Sequence, residues 1–456
     1  MSIHNRHGDA AAGSEVGVEV PVTQQAPAAF GSEDISQSLH SGPGTVRLKK
    51  RQLLPMFVAQ FTLYLAWIAP LGYSLAVRIA QVDPNGRDNV LAFALSMPGI
   101  LVLFVAPLLG VLSDRTRSRL GRRRPWLLAG TIVGAGGAVV LGLGATVPMV
   151  IVGWTISFVG YTMVAAMIVT HLGDTLPEVQ RGKVMGINGA MTQIAPVVGT
   201  ALAASTASMP AAMFLIPGAL AFIGGIIFFS VMKDKRLAVT PPAVNVKALL
   251  SGYWFNPRRY PNLGWVVLSR AMVFLALSFF GLYTVYLLSS RLGLDAAQVG
   301  ALSAAVGLGG VVTAILGAVG SGWLSDKLGR RKPFLIVSAL LLASAMVLIA
   351  TMNSIPQYVV AALLSSFAIG VYGAVDQATG LDVMPREGEN GRYLAIFSLG
   401  NQVPQAFGPL LAAVVLSLFG GEYGWVYIAA GAFAVLGALA IIPIRLGNTM
   451  PAKENA

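Results

Sequence analysis

The sequence predicts an all-α membrane protein of twelve transmembrane helices in two pseudo-symmetric six-helix bundles. Three observations carry that prediction. The 456 residues are 55% hydrophobic and 11% charged, with a mean hydropathy of +0.72, whereas a soluble globular chain has roughly 25% charged residues. After Val46, apolar segments of bilayer length follow one another, separated by short polar or Gly/Pro turns. The chain also matches itself at an offset of 208 residues.

Taken in order, residues 1–45 are polar, mixed in charge and rich in Ala, Gly and Ser. They lack the apolar core of a signal peptide and read as a disordered cytoplasmic tail. The first bundle occupies 46–232, with spans near 53–79, 89–112, 126–145, 148–170, 183–206 and 210–232. A linker with four prolines and six basic side chains follows at 233–262. The second bundle, 263–446, has spans near 263–290, 297–323, 334–351, 355–379, 393–418 and 423–444, and 447–456 form a second cytoplasmic tail.

The net charge of +12 could suggest nucleic acid, but its placement points to topology instead. Once the spans are drawn, 27 of the 31 Lys and Arg residues lie on the side shared by both termini. The opposite side carries Arg78, Arg87 and Arg291, and Arg270 falls inside a span. Basic loops mark the cytoplasmic side, so the chain reads as a multi-pass plasma (inner) membrane protein with both termini in the cytoplasm. Its partners are then the lipid bilayer and a small-molecule substrate, with no nucleic acid, and it is expected to work as a monomer. With no cysteine and only His4, His7, His40 and His171, thiol and histidine-metal chemistry have almost nothing to work with. No metal site, cofactor or enzyme activity is expected. No G-x-x-x-x-G-K-[ST] run supports use of ATP.

The 208 offset brings Gly121 onto Gly329, Pro125 onto Pro333, Asp174 onto Asp382 and Pro196 onto Pro404. Parallel repeats related by an axis along the membrane normal are a transporter architecture, with the substrate site near the midplane where the halves meet. The repeated loops read GVLSDRTRSRLGRRRPW and GWLSDKLGRRKPF. In each, an aspartate ends a helix, a glycine turns the chain and arginines begin the next helix. Asp114, Arg115, Gly121, Arg122 and Arg123, with Asp326, Gly329, Arg330 and Arg331, are therefore candidates for a cytoplasmic gate built on charge pairs and helix dipoles. The alternative is topology alone, since short cytoplasmic loops are basic anyway.

These two loops resemble the hallmark of the major facilitator superfamily, and the resemblance covers residues 46–446. The form SDRTRSRLGRRRPW, with Trp67-Ile-Ala-Pro70 in the first span and DxxP turns after the fourth and tenth, is similar to the sucrose-proton symporters and the related glycoside-pentoside-hexuronide:cation symporters. The resemblance implies secondary active transport by alternating access and a sugar or glycoside carried with a proton, or with sodium, as coupling ion.

Ionisable residues inside a membrane are functional candidates by default. Two sit well within the spans: Asp376 in the tenth and Arg270 in the seventh, matched at the offset by Ile168 and Thr62. Poor solvation favours the protonated form of a carboxylate, which suits Asp376 to proton coupling with Arg270 as its charge partner. A purely structural ion pair, or an Arg270 snorkelling to the interface, is the alternative. Gln60, Tyr64 and Trp67 share a helical face, as do Tyr372 and Asp376, and Asn401 and Gln405. With Asn188, Gln193 and Tyr283 they supply the amides and rings that bind sugars, and such residues also glue membrane helices together. His171 reads as a capping or interfacial histidine, and the glycines around Gly307 as helix-packing positions. A drug-proton antiporter and a non-transporting sensor or scaffold on the same fold are the rival readings.

Overall fold

The computed structural model describes residues 50–234, 256–383 and 390–444. The expected tails at 1–45 and 447–456, most of the linker and His4, His7 and His40 lie outside them. The described elements are helices throughout, joined by short turns. The first span is α1 (Lys50–Ala69), a π-turn (Pro70–Ser74) and α2 (Leu75–Val82). The expected span near 53–79 is thus interrupted at Pro70. Pro70 offers no N–H to the carbonyl four residues earlier, and the ladder shifts to i→i−5 bonding there, with Leu75 N–H donating to Pro70 O.

The rest of the first half comprises α3 (Arg87–Arg115), α4 (Arg124–Leu143), α5 (Val147–Thr175), α6 (Glu178–Ser205) and α7 (Ala212–Val231). The second half begins with α8 (Pro261–Leu282) and α9 (Thr284–Leu292), which break the expected seventh span at Tyr283. It continues with α10 (Ala296–Leu328), α11 (Lys332–Ala350), α12 (Ile355–Val383), α13 (Asn390–Leu418) and α14 (Tyr423–Ile441). Among the described residues ten spans are long and apolar enough to cross a bilayer. The other two passes are α6 and α13, 28 and 29 residues long. They are duplicates of one another at the 208 offset, and both carry amide side chains that lower their hydropathy.

Lipid gives helices no hydrophobic reason to associate, so close backbone approach has to hold them together. The α4–α5 crossing is built this way. Gly130, Gly134 and Gly137 face Gly153, Ser157 and Gly160, and the Ser157 hydroxyl donates to Gly134 O at 3.2 Å. A Cβ on Gly160 would run into the backbone of Gly134. We therefore expect Gly160→Val to destabilise the protein by about 1–3 kcal/mol through overpacking, read as a lower melting temperature in detergent. Gly136→Val, placed where a Cβ meets nothing within 4 Å, should leave it unchanged.

Two seams join the halves, α3 against α13 and α6 against α10. Because α3 corresponds to α10 and α6 to α13 at the 208 offset, these are one contact made twice about a pseudo-two-fold axis. On the α3–α13 seam a Cβ at Gly99 would stand 3.0 Å from Ala406 Cα; on the α6–α10 seam Gly307 abuts Val197.

Candidate functional site: a chamber, a buried ion pair and two charged rims

Near the middle of the bundle a cavity of about 490 Å³ lies between the halves. Trp67 and Leu71 of the first span, Phe158 and Thr162 of α5, and Gly99 of α3 wall one side. Phe274, Leu277 and Ser278 of α8 and Gln402 and Gln405 of α13 wall the other. Trp67 belongs to a run of edge-to-face rings: Tyr64 at 5.6 Å, Phe158 at 5.4 Å, and Trp154 5.5 Å beyond Phe158. Such contacts fix the indole plane.

Of the residues expected to touch substrate, Trp67 and Gln405 line this cavity. Asn401 sits one turn from Gln405 and is hydrogen-bonded to it, which orients the Gln405 amide. Tyr64 stands behind Trp67. The other expected residues lie off its lining. Gln60 and Asn188 are buried in helix packing, each with a carbonyl oxygen that lacks a partner among the described residues, and Gln193 is exposed away from the cavity. A shared helical face did not specify which neighbour that face meets. Tyr283 lies between the halves near one rim of the bundle, where its hydroxyl donates to Asp88 O at 3.1 Å. Gln402 is the residue that sequence reasoning missed; its neighbours Asn401 and Gln405 drew the face one position off.

Arg270 and Asp376 form an ion pair with side chains 6% and 4% exposed. The guanidinium lies over the rings of Phe274 and Phe397, 5.0 Å and 4.0 Å from their centroids. Tyr372, one turn before Asp376, brings its hydroxyl against the carboxylate rather than into the chamber. Among the described residues Arg270 Nε has no partner. The pair is thus buried among aromatic groups, within the second half and beside the chamber.

The rim carrying the GRR loops, here the basic rim, repeats one triad in both halves. Arg123 meets Asp174 at 2.7 Å and Asp114 at 3.5 Å; its counterpart Arg331 meets Asp382 at 2.5 Å and Asp326 at 3.9 Å. Arg122 adds a 3.0 Å contact to Asp174. Asp174 and Asp382 were read in the sequence only as turn residues, although the offset pairing them was the available signal. Each triad lies within its own half. Gly121, at φ 107, and Gly329, at φ 61, make the turns. Against Gly121 packs Asp234, whose carboxylate accepts from the N–H groups of Arg123 and Arg124 at the start of α4. Asp234→Ala should remove this cap and destabilise the protein by about 0.5–2 kcal/mol, measured by thermal melting. His171 rests edge-on against Phe228 at 5.7 Å, an ordinary packing role.

At the other rim the halves are bonded to each other. Tyr73 donates to Ala296 O at 2.5 Å, and Tyr286 to Ala76 O at 2.9 Å. Asp88 accepts from Tyr423 at 2.8 Å, and Arg87 lies 4.7 Å over the Tyr286 ring. The chamber lies between this seal and the basic rim.

Two duplicated bundles, a chamber between them and a rim where the halves are bonded together match the architecture of a membrane transporter. The chain belongs to the Major Facilitator Superfamily, whose family model matches residues 56–321 and 272–455. Among solved structures it is similar to the nucleoside transporter NupG, with a TM-score of 0.67 and 14% identity over 86% of this chain and 98% of that one. It is also similar to a bacterial homologue of the human lysosomal transporter Spinster, with a TM-score of 0.65 and 14% identity over 88% and 99%. At such identities the likeness is one of fold. Among curated proteins, a general alpha-glucoside permease of Schizosaccharomyces pombe is 28% identical over 127 residues. That match spans 28% of this chain and 22% of the permease.

Proposed function

We propose that the protein is a proton-coupled symporter of a sugar or glycoside, working by alternating access, with the basic rim in the cytoplasm and the tyrosine seal outside. The observation that carries the coupling is the Arg270–Asp376 pair, a carboxylate and a guanidinium held in an aromatic setting beside the chamber. Neutralising one partner of such a pair releases the other, so proton arrival and a change in packing are coupled. The sugar reading is supported by Trp67 facing Gln402 and Gln405 across the chamber, a ring for the apolar face of a pyranose and amides for its hydroxyls. The short match to the glucoside permease agrees with it.

A second reading is favoured by one observation. Apart from Thr162, Ser278 and the two glutamines, the chamber walls are largely apolar, as a drug-proton antiporter would want. Uptake by purified protein in liposomes, against a panel of mono- and disaccharides with internal pH recorded, separates the two. Sugar entry with internal acidification is the expected result. Movement of a lipophilic cation with no sugar movement would replace the symporter with the antiporter.

A further inference from the structure

The chamber has a small neighbour. A cavity of about 50 Å³ is lined by Val273, Phe274, Ser338, Ala368 and Tyr372 among others, and it shares Phe274 and Leu277 with the chamber. Beyond it Tyr372 touches Asp376, and Phe274 itself lies under the Arg270 guanidinium. One ring therefore borders the chamber, the small cavity and the ion pair together.

The two rings that hold Arg270 differ in freedom. Phe397 is buried and wedged against Gly380, where an added Cβ would stand 2.7 Å from its ring. Phe274 is half-buried with unfilled space on two sides. A ring so placed can turn without displacing a packed neighbour, whereas close-packed interiors resist such motion.

We propose that Phe274 is a door between the transport chamber and the Arg270–Asp376 pair. With the ring as it stands, it caps the guanidinium and closes the small cavity, whose largely apolar lining keeps it dry. When the ring turns, the small cavity joins the chamber, and water reaches Tyr372 and Asp376. The consequence for proton delivery rests on the symport reading above; the door itself does not.

The natural chain has no cysteine, so a single thiol reports without background. Ser338→Cys is nearly isosteric, and Ser338 is 1% exposed on the wall of the small cavity. Its rate of modification by 2-hydroxyethyl methanethiosulfonate, in the full-length protein, is compared with and without Phe274→Ala. If the ring opens in about 1–10% of molecules, its removal raises the rate about 10- to 100-fold. Phe274→Leu, which keeps most of the partition, should give a much smaller rise. An unchanged rate in a monodisperse Phe274→Ala protein overturns the proposal, and Phe274→Val serves the same comparison if the alanine variant does not fold. Phe274→Ala liposomes are then assayed for substrate-independent proton leak. A raised modification rate without leak leaves the door standing and removes the proton-coupling reading.

Discussion

Asp376→Asn should abolish uphill accumulation in liposomes while exchange of substrate across the membrane persists at least in part. Asparagine keeps the shape of the carboxyl but cannot carry a proton or the charge that holds Arg270. Normal proton-driven accumulation in this variant would remove Asp376 from the mechanism. The partner variant tests the pair through stability. Arg270→Met leaves a carboxylate that is 4% exposed without its counter-charge, and breaking one side of a buried pair destabilises by about 3–5 kcal/mol. Asp376→Asn leaves the guanidinium, 6% exposed, unpaired in the same way, so the melting temperature should fall in both single variants. Combining the two should recover most of the loss, because no buried charge is then unpaired. If the double variant is as unstable as Arg270→Met alone, the pair is not the source of the effect.

Trp67→Ala should weaken substrate binding about 10- to 100-fold, the equivalent of the roughly 1.5–3 kcal/mol given by burying an apolar side chain. The indole is held by Tyr64 and Phe158 at 5.6 and 5.4 Å, so its plane is set before the substrate arrives. A preorganised ring loses little freedom on binding. Trp67→Phe should retain much of the affinity, and Gln60→Ala, buried away from the chamber, should leave affinity close to that of the natural protein. Titration of purified protein with the best transported sugar, followed by intrinsic tryptophan fluorescence and calorimetry, measures all three. Equal losses for Trp67→Ala and Gln60→Ala would mean that the chamber wall has been misassigned.

The two rims of the molecule are built differently. On the basic rim the Arg123 and Arg331 triads tie adjacent helices of the same half, as the proposed movement of each bundle as a body would require. On the other rim Arg87 and Asp88 of the first half meet Tyr286 and Tyr423 of the second. These polar contacts can be exchanged for water, as the proposed alternating access would require.

The architecture was legible from the chain alone. Hydropathy marks each pass because backbone polar groups in lipid must be bonded within a helix, and the 208 offset implies that whatever contact α3 makes with α13, α10 makes with α6. Asp376 and Arg270 were legible too, since charge inside a membrane is rare. Which polar residues meet at the chamber depends on how the helices cross. A helical face is legible from spacing, but the partner that covers it is set by crossings made through glycines such as Gly99 and Gly160. So Gln60 and Asn188 went into packing, Tyr283 into the seal, and Gln402 onto the wall beside Gln405. Likewise Asp174, Asp382 and Asp234 became charge partners of the arginine loops because the fold places helix ends together that lie about 50 to 110 residues apart in the chain.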